Sequence, residues 1–407
     1  MNNHIILLLY NSFNDPLSQN LAISYLMTLS ETRKYTFHLI TFEQNKYYIS
    51  NNEKDKIQKK LFNQGIIWYP LKFHTGKFLL LKKTYDFLFA SLFVFWIRII
   101  HKSKLIIALS NISASFSLIF SKLLQMKLMI LNYEPHSLFQ VELGLWSPKS
   151  LKYLLLNRLE TYAGIHGDYI LTGTDHMVNL LTTKGAKGSI FKAPSSLDIS
   201  IYTYNSQKRQ NVRNLYNIKE KKVLLYLGKL GGIYYGQEVA DLCKYLSTKI
   251  MNIFCLIVTP TDHKIVSYYF DVAKMNKRQY LITEAFNRDE VIACISAADI
   301  GLSAIPPTLS QKYRSPIKTG EYLLCGLPYI TCAGISEDDK YAIDFNVGVI
   351  LKSFNYKDVD NEIQNIESFF DEDKRELRIR CRNAGTVYRD KKNVEKILND
   401  IMSEVFP

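Results

Sequence analysis

The segment at residues 315–330, SPIKTGEYLLCGLPYI, brings three kinds of polar chemistry to the start of one predicted helix. Ser315 and Pro316 are typical of a helix start, because a serine hydroxyl can accept from a free amide and proline needs no amide hydrogen there. Lys318 and Glu321 lie three residues apart, so they share one helix face. Free amides, the helix dipole and the lysine favour an anion, and the glutamate could accept both hydroxyls of a ribose. The segment predicts a nucleoside diphosphate site; the alternative is a capped surface helix with both charges in solvent.

A second candidate site follows a predicted buried strand within residues 221–236, KKVLLYLGKLGGIYYG. The strand runs directly into a turn that contains Gly228, Lys229, Gly231 and Gly232. Glycines let the backbone approach a ligand closely, and a lysine at the carboxyl end of a strand could reach a pyrophosphate. The spacing matches neither the dinucleotide-binding GxGxxG nor the Walker A loop. Many strand-to-helix turns contain glycine, so this turn gains weight only together with the lysine of the first segment.

The composition is that of a basic globular protein. The chain has 407 residues, too many for one ordinary core, so two domains are expected. A hydrophobic content of 47% argues against a disordered chain. The formal net charge of +13 suits a partner that carries phosphate: a nucleotide, a nucleic acid or an anionic membrane surface.

The cysteines predict a reduced interior. No CxxC pair and no zinc-type spacing with histidine occurs. Cysteine inside an apolar pattern behaves as a small hydrophobe, so we interpret these residues as core positions of a cytosolic protein. The chain leads directly into an apolar strand, HIILLLY, and no secretory signal is predicted. The cysteines, all in the second half, are Cys243, Cys255, Cys294, Cys325, Cys332 and Cys381.

One segment raises the question of a membrane. Residues 87–100, FLFASLFVFWIRII, are apolar except for Arg98. A helix needs about 20 residues to span a bilayer, so this segment is too short to do so. One interpretation is a buried core helix. The other is an interfacial patch, with apolar side chains in the headgroup layer and lysines on anionic lipid. The flanking lysines are Lys77, Lys82, Lys83, Lys102 and Lys104.

Strands and helices alternate along the whole chain. Apolar strand patterns recur from residues 4–10 to residues 189–191, then restart at residues 222–227 and continue to residues 347–351. Alternation of this kind predicts an α/β protein with two doubly wound, Rossmann-like parallel sheets and helices on both faces.

The polar stretch at residues 202–222 is the expected boundary between these two parts. We expect an N-terminal domain at residues 1–200 and a C-terminal domain at residues 201–385. Residues 386–407 are expected to form a helix that packs back on the N-terminal domain.

From about residue 165 onward the chain resembles GT-B glycosyltransferases, particularly the large retaining family 4. Features of the family's donor-binding domain match in order: the GKLGG turn, NRDEVIACISAADIGLSAI at residues 287–305, the segment at residues 315–330 and the final helices. The first half matches more loosely, through its Rossmann pattern and the passages at residues 166–181 and 193–202. The resemblance implies an N-terminal acceptor domain and a C-terminal nucleotide-sugar donor domain that face each other across a cleft, followed by C-terminal helices.

The resemblance also implies roles for individual residues of the second half. Glu321 matches the second acidic residue of the family's E-x7-E element, which holds the donor ribose. Lys318 matches a lysine of many sugar-polymer members, and Lys229 falls where an arginine or serine near the phosphates is common. Tyr313 replaces the first glutamate of the element, which leaves the sugar and part of the mechanism open. The expected donor site adds Gly228, Gly231, Gly232, Ser315 and Pro316 to these three matching residues.

In the first half, His136 resembles the histidine that reaches across the cleft to the donor sugar. The alternative is a histidine that only bonds its own loop. Glu134 could contact the acceptor or the sugar. Asn14 lies where the family has an acceptor-side loop, although an Asx-type turn is the other interpretation there. The expected catalytic residues are therefore His136, Lys229, Lys318 and Glu321.

The implied activity is that of a retaining hexosyltransferase (EC 2.4), which moves a sugar from a nucleoside-diphosphate sugar to an acceptor hydroxyl. No Asp-x-Asp motif occurs in the loops expected to form the site, so neither a metal nor another cofactor is expected. The expected acceptor is a lipid-linked glycan of capsule, O-antigen or exopolysaccharide synthesis, at the cytoplasmic face of an anionic membrane.

Two other functions stay open. A sugar-nucleotide epimerase of the same architecture would need carboxylates around the sugar, and Tyr313 removes one of them. A basic nucleic-acid-binding protein fits the charge, but no readout motif or helix-turn-helix signature occurs, so no nucleic-acid partner is expected.

Overall fold

The chain folds into two compact units, each built around its own parallel sheet. The computed structural model describes residues 3–407. One unit contains the chain up to Ala193 together with Asn393–Pro407, and the other contains Pro194–Lys392. The end of the chain thus belongs to the same unit as its N-terminal sheet.

Among the residues that the structure describes, seven parallel strands form the sheet of the first unit. In chain order they are β1 (Asn3–Leu9), β2 (Tyr35–Glu43), β3 (Ile66–Lys72), β4 (Leu105–Leu109), β5 (Lys127–Leu131), β6 (Tyr169–Thr172) and β7 (Ser189–Lys192). Their order across the sheet is β3-β2-β1-β4-β5-β6-β7. The chain therefore winds outward in both directions from β1 and β4, and the loops that follow these two strands diverge.

Helices cover both faces of this sheet. They are α1 (Pro16–Ser18), α2 (Ser24–Glu31), α3 (Asn51–Phe62), α4 (Leu79–His101), α5 (Ser110–Leu123), α6 (His136–Glu142), α7 (Leu151–His166), α8 (Asp175–Thr183) and the C-terminal helix (Lys391–Val405). Ile5, Leu7 and Leu9 of β1 share one core with Leu398 and Met402 of the C-terminal helix. Side chains alternate along a strand, so His4 and its neighbours at even positions face the opposite side, where α4 and α5 contact β1.

Six parallel strands form the sheet of the second unit within the described chain. They are β8 (Lys222–Leu227), β9 (Ile253–Val258), β10 (Tyr280–Thr283), β11 (Ile300–Leu302), β12 (Tyr329–Cys332) and β13 (Gly348–Leu351), in the order β10-β9-β8-β11-β12-β13. The helices are α9 (Ser206–Leu215), α10 (Gln237–Lys249), α11 (His263–Val272), α12 (Arg288–Ala297), α13 (Ile317–Leu324), α14 (Asp338–Asp344), α15 (Tyr356–Asp371) and α16 (Lys374–Arg389).

The two doubly wound parallel sheets confirm the predicted fold class. The division between Ala193 and Pro194 lies close to the expected one between residues 200 and 201. The polar stretch at residues 202–222 contains helix α9, which contacts α12 inside the second unit. Arg209 and Arg213 look like solvent charges in the sequence, whereas both bind Asp299. The interpretation of the six cysteines as core positions is confirmed, since all are buried.

Helix α4 is not the buried core helix of the first interpretation. From residue 81 onward its buried stripe is narrow, comprising Asp86, Ala90, Val94 and Ile97. In the part of the chain that the structure describes, one helical segment, Leu81–His101, has the length and apolarity of a membrane span, and 22% of its most apolar window is buried. Within residues 81–101, the exposed large apolar side chains are those of Leu81, Tyr85, Leu88, Phe89, Leu92, Phe95, Trp96, Ile99 and Ile100, which we call the apolar face of α4.

Candidate functional site

The candidate donor site lies where the second sheet reverses its strand order. Strands β8 and β11 are neighbours, and the chain winds outward from them in opposite directions. The loops that follow them therefore open a crevice at the carboxyl edge of the sheet, the usual ligand position of open α/β folds. The Tyr235 amide donates to the Ala304 carbonyl at 3.0 Å, which ties the loop after β8 to the loop after β11.

The glycine-rich turn after β8 has the open backbone that the sequence predicted. Gly231 and Gly232 have φ angles of 81° and 68°, in the left-handed region that side chains rarely adopt. The Leu230 amide donates to Thr261 Oγ1 at 3.0 Å, and Tyr226 Oη donates to the Lys229 carbonyl. These bonds fix the backbone of the turn, while the Lys229 side chain is exposed. The turn can thus present an exposed cation from a fixed backbone.

The start of α13 is built differently from the prediction. The helix begins at Ile317 with Pro316 as its N-cap, and no side chain caps it. Ser315 is wrong as the predicted cap, because its hydroxyl accepts from the Ser195 amide at 2.9 Å and from Arg389. The first amides of α13 are consequently left without a serine acceptor, as an anion site requires.

Lys318 and Glu321 form an ion pair on α13. Lys318 Nζ lies 2.8 Å from Glu321 Oε2, and Tyr202 Oη donates to Glu321 Oε1 at 3.2 Å. Glu321 is 5% exposed, whereas the Lys318 side chain is 36% exposed. Both carboxylate oxygens are therefore engaged in this form of the protein. A ribose hydroxyl would either share these oxygens, each of which can accept a second hydrogen bond, or replace the Lys318 ammonium.

Tyr313 occupies a short 3₁₀ turn, Gln311–Tyr313, just before α13. Its ring is half-buried, and Lys312 Nζ lies 5.1 Å from the ring centroid. An aromatic ring with a cation beside it thus lies at the position where the E-x7-E element would have its first carboxylate. It offers stacking and a hydroxyl, but no negative charge for a developing positive centre.

Helix α13 packs on a buried arginine, Arg389, that the sequence analysis did not identify. Arg389 is 0% exposed and donates to the Ser195 carbonyl at 3.1 Å, to Ser315 Oγ, and to Thr319 Oγ1 at 3.3 Å. Asp338 Oδ1 lies 3.3 Å from the guanidinium, and burial raises the pKa of Asp338 to about 6 although the arginine opposes the shift. No local signal marks Arg389, since its partners are 51 to 194 residues away in the sequence.

Asp299, from the passage that resembles the family, has a structural role. Its Oδ1 lies 2.6 Å from Arg209 and its Oδ2 lies 2.6 Å from Arg213, while the Val223 amide donates to Oδ2 at 2.8 Å. Burial would raise the pKa of Asp299, but the two arginines and the amide hold it below its usual value. The residue precedes β11, at the amino edge of the sheet, and therefore cannot contact a ligand at the carboxyl edge.

A cavity of about 540 Å³ near this aspartate lies at the same amino edge. It adjoins the Asp299 network through Arg209 and Arg213, which also line it. This cavity is therefore separate from the predicted donor residues, which lie at the carboxyl edge of the sheet.

The first unit has a corresponding reversal of strand order at β1 and β4. The Tyr10 amide donates to Ser113 Oγ at 2.8 Å, which ties the loop after β1 to the helix after β4. Asn14 lies in that first loop and is exposed. The turn interpretation of this region applies to the next residue, because Asp15 caps α1 by accepting from the Leu17 amide at 2.9 Å.

The loop that carries Glu134 and His136 follows β5 and is fixed by hydrogen bonds to the buried side chains of Asn111 and Glu160. The Glu134 amide donates to Asn111 Oδ1 at 3.2 Å, and the Asn111 amide group donates to the Glu134 carbonyl. Glu160 is 3% exposed and accepts from the Ser137 amide at 3.1 Å and from the Ser137 hydroxyl at 2.5 Å. Burial raises the pKa of Glu160 to about 7, against the effect of these hydrogen bonds.

His136 itself begins α6 and is half-buried. Its Nε2 lies 3.5 Å from the side-chain nitrogen of Gln140, and its ring packs edge-on against Trp146 with centroids 6.4 Å apart. The ring is thus oriented by its own helix and the following loop. Both predicted residues of the loop lie at the carboxyl end of β5.

A second polar cluster of the first unit was missed. His74 Nδ1 lies 2.5 Å from Asp86 Oδ1, and Tyr10 Oη donates to Asp86 Oδ2 at 2.7 Å. Lys83 Nζ lies 3.8 Å from the same carboxylate. Tyr10 directly follows β1, and His74 follows shortly after the end of β3. The cluster therefore also lies at the carboxyl edge of the sheet. A carboxylate within an apolar helical segment was the sequence signal that could have revealed it.

No protein-family model matches the chain, and no curated protein sequence matches it. Solved structures match it over its whole length. Sucrose-phosphate synthase from Thermosynechococcus elongatus gives a TM-score of 0.73 at 11% identity, over 100% of this chain and 99% of that chain. HepE of Anabaena in complex with UDP-glucose gives 0.67 at 13% identity, over 98% and 99%. The lipopolysaccharide outer core galactosyltransferase WaaB gives 0.65 at 14% identity, over 98% and 99%. The chain has the GT-B fold.

The GT-B fold is also found with a different chemistry. A putative UDP-N-acetylglucosamine 2-epimerase from Listeria monocytogenes matches with a TM-score of 0.63 at 9% identity, over 99% of this chain and 97% of that chain. At such identities the likeness establishes the fold, and an activity has to be argued from the site.

Proposed function

We propose that the protein is a glycosyltransferase that moves a sugar from a nucleoside-diphosphate sugar to an acceptor hydroxyl. The observation that carries this proposal is the Lys318–Glu321 pair, placed at the start of α13 beside the crevice between β8 and β11. A cation, free helix amides and a nearly buried carboxylate there fit a diphosphate next to a ribose diol. GT-B neighbours crystallised with UDP and UDP-glucose support a nucleotide-sugar ligand.

The difficult step in such a transfer is departure of the diphosphate while positive charge develops on the sugar. Lys229 and Lys318 would stabilise the charge that builds on the leaving group, an effect often worth about 3 kcal/mol per donor. Glu321 would hold the ribose after its lysine moves to the phosphates. His136 and Glu134 are the proposed sugar or acceptor contacts, with Asn14 on the acceptor side.

Retention of configuration and independence from metal are part of the proposal. Retention rests on the resemblance to family 4, and no residue is assigned as a covalent nucleophile. Metal independence rests on the lack of an Asp-x-Asp motif in the loops of the site and on the lysines that can take over charge neutralisation. A hexosyltransferase of EC class 2.4 is the corresponding enzyme class.

The proposed acceptor is a glycan on a lipid carrier, in the synthesis of a surface polysaccharide at the cytoplasmic face of the membrane. The apolar face of α4 supports this proposal, because nine large apolar side chains are exposed among the side chains of this helix that the structure describes. Exposed lysines lie at both ends of the helix, at Lys77, Lys102 and Lys104. Apolar side chains flanked by cations fit the headgroup region of an anionic bilayer.

The experiment that tests the donor site is a thermal stability series with UDP, GDP, ADP and CMP in EDTA. A ligand at about 100 times its dissociation constant stabilises the folded protein by about 2.7 kcal/mol, a measurable shift in Tm. We expect one diphosphate to stabilise the wild type and Lys264→Ala, which removes an exposed lysine of the same unit. Lys318→Ala should lose the shift. No shift with any nucleotide would refute the donor site.

Two further measurements separate the alternatives. An epimerase would interconvert UDP-sugars without an acceptor. This alternative is tested because the similar Listeria structure is described as an epimerase. A nucleic-acid-binding protein would bind DNA or RNA with an affinity that falls steeply with salt.

A further inference from the structure

Three histidines from distant parts of the chain meet in the first unit. His4 lies at the start of β1, His38 in β2, and His101 at the end of α4. Each can offer one ring nitrogen, and these three nitrogens all lie within 4.8 Å of one another. The cluster lies towards the amino ends of β1 and β2, so it is separate from the loops at the carboxyl ends of the strands.

The three rings form one packed group around a buried member. His38 is 0% exposed, and its Nε2 lies 2.9 Å from Nδ1 of His4. The rings of His4 and His101 stack with centroids 4.4 Å apart, and those of His38 and His101 are 4.7 Å apart. His4 and His101 are half-exposed, so an ion and a water molecule could reach the group from solvent.

Tyr69 of β3 can set the tautomer of the buried histidine. Its hydroxyl lies 3.1 Å from His38 Nδ1, on the far side of the ring from His4. If Nδ1 carries the proton and donates to the hydroxyl, Nε2 has a free lone pair directed at His4. A histidine ligand oriented in this way by a hydrogen bond to its other nitrogen is typical of metal sites.

We propose that His4, His38 and His101 bind one zinc-class divalent cation, with water as the fourth ligand. Three imidazoles and a water are a common ligand set for tetrahedral zinc, with Zn–N distances of about 2.0 Å. Such a tetrahedron places nitrogens roughly 3.3 Å apart. The His4–His38 pair would open by about 0.4 Å, and His101 would approach by no more than ~1.5 Å.

The cation would have a structural role that differs from donor chemistry. Residue 101 is the last of α4, and Lys102 after it has a left-handed φ of 52°. A bond from His101 through the ion to β1 and β2 would fasten this end of the helix to the sheet. The apolar face of α4 would then be held in place by metal coordination in addition to the narrow buried stripe.

The test uses the full chain without a polyhistidine tag, stripped with EDTA and dialysed. Co²⁺ alone is titrated first, because its visible d–d absorption reports tetrahedral coordination by nitrogen, and Zn²⁺ is then used to displace it. We expect one Co²⁺ per chain and a rise in Tm with Zn²⁺. His101→Gln and His4→Gln should each weaken binding by at least ~100-fold, beyond the range for loss of a second-shell partner.

Two variants control this result. Tyr69→Phe keeps all three ligands and should weaken binding by about 10-fold. His263→Gln removes an exposed histidine of the other unit and should bind as the wild type does. A wild type without tetrahedral cobalt absorption would overturn the proposal, and so would equal binding by the wild type and His101→Gln.

Discussion

Replacement of Glu160 by glutamine should change how the stability of the first unit depends on pH. The carboxyl is buried beneath the His136 loop, and burial raises its pKa from 4.5 to about 7. Below pH 4.5 the residue is protonated in both the folded and the unfolded protein. Between pH 4.5 and pH 7 the unfolded protein loses this proton first, so the wild type becomes less stable as the pH rises.

The magnitude follows from the size of the shift. A pKa difference of about 2.5 corresponds to about 3.4 kcal/mol, because each pKa unit is worth about 1.4 kcal/mol. Most of this change falls between pH 5 and pH 8, where the free energy of unfolding should drop by about 2.5 kcal/mol through Glu160 alone. The glutamine of the variant has no proton to lose, and its amide oxygen can still accept from the Ser137 amide.

The assay can be confined to the relevant unit. All three tryptophans, Trp68, Trp96 and Trp146, lie in the first unit, so their fluorescence follows its unfolding in urea. We expect Glu160→Gln to gain about 2.5 kcal/mol relative to the wild type from pH 5 to pH 8. Glu31→Gln, which removes an exposed carboxylate of the same unit, is the matched control. A wild-type advantage that is constant or grows with pH would refute the reasoning.

Three shorter predictions concern the donor site, the second core and the apolar face of α4. Glu321→Gln should weaken binding of the stabilising nucleotide by roughly 10- to 100-fold, because a charged acceptor is lost; calorimetry measures this, and unchanged affinity would contradict it. Asp299→Asn should destabilise the second unit by about 3 kcal/mol, because the buried Arg213 and the partly buried Arg209 lose their partner; circular dichroism in denaturant reports the loss, and nucleotide affinity should not change. Leu92→Glu should abolish flotation with anionic liposomes at low salt while stability changes by less than about 0.5 kcal/mol. Leu215→Glu alters an equally exposed leucine of the second unit and should float normally; equal flotation of both variants would remove the membrane surface.

Much of the fold follows from local patterns in the sequence. Buried parallel strands read as short apolar runs, such as IILLL in β1 and VLLYL in β8, and glycine or proline bounds many of the helices. The pairing of Lys318 with Glu321 was equally predictable, since residues three apart on a helix are neighbours. These features depend on contacts within one turn or one strand.

The parts that sequence reasoning missed depend on distant contacts. Ser315 has the residue type of an N-cap, but its hydroxyl accepts a hydrogen bond from the Arg389 guanidinium instead of from an amide of α13. The His74–Asp86 pair and the three-histidine cluster form only after α4 packs on β1 and β2. Nothing in the spacing of these residues records such packing. Helix α9 shows the same limit, because its arginines are explained only by Asp299, 86 or more residues away.

The Lys318–Glu321 pair should affect how strongly the proposed site prefers a nucleoside diphosphate to a nucleoside. In the proposed exchange a ribose takes the place of Lys318 at Glu321, and a nucleoside leaves the displaced lysine without an anion. A nucleoside diphosphate supplies phosphate for the lysine in the same event, so the two halves of the ligand should bind cooperatively. Discrimination between UDP and uridine should therefore exceed the direct lysine–phosphate attraction.

Replacement of Lys318 by methionine separates these two contributions. The variant lacks the phosphate contact but leaves Glu321 open to ribose, so uridine should bind more tightly than to the wild type while UDP binds less tightly. Calorimetry with both ligands measures the two changes. If the variant weakened both ligands equally, Lys318 would contribute only to the packing of α13, and the exchange of partners at Glu321 would be wrong.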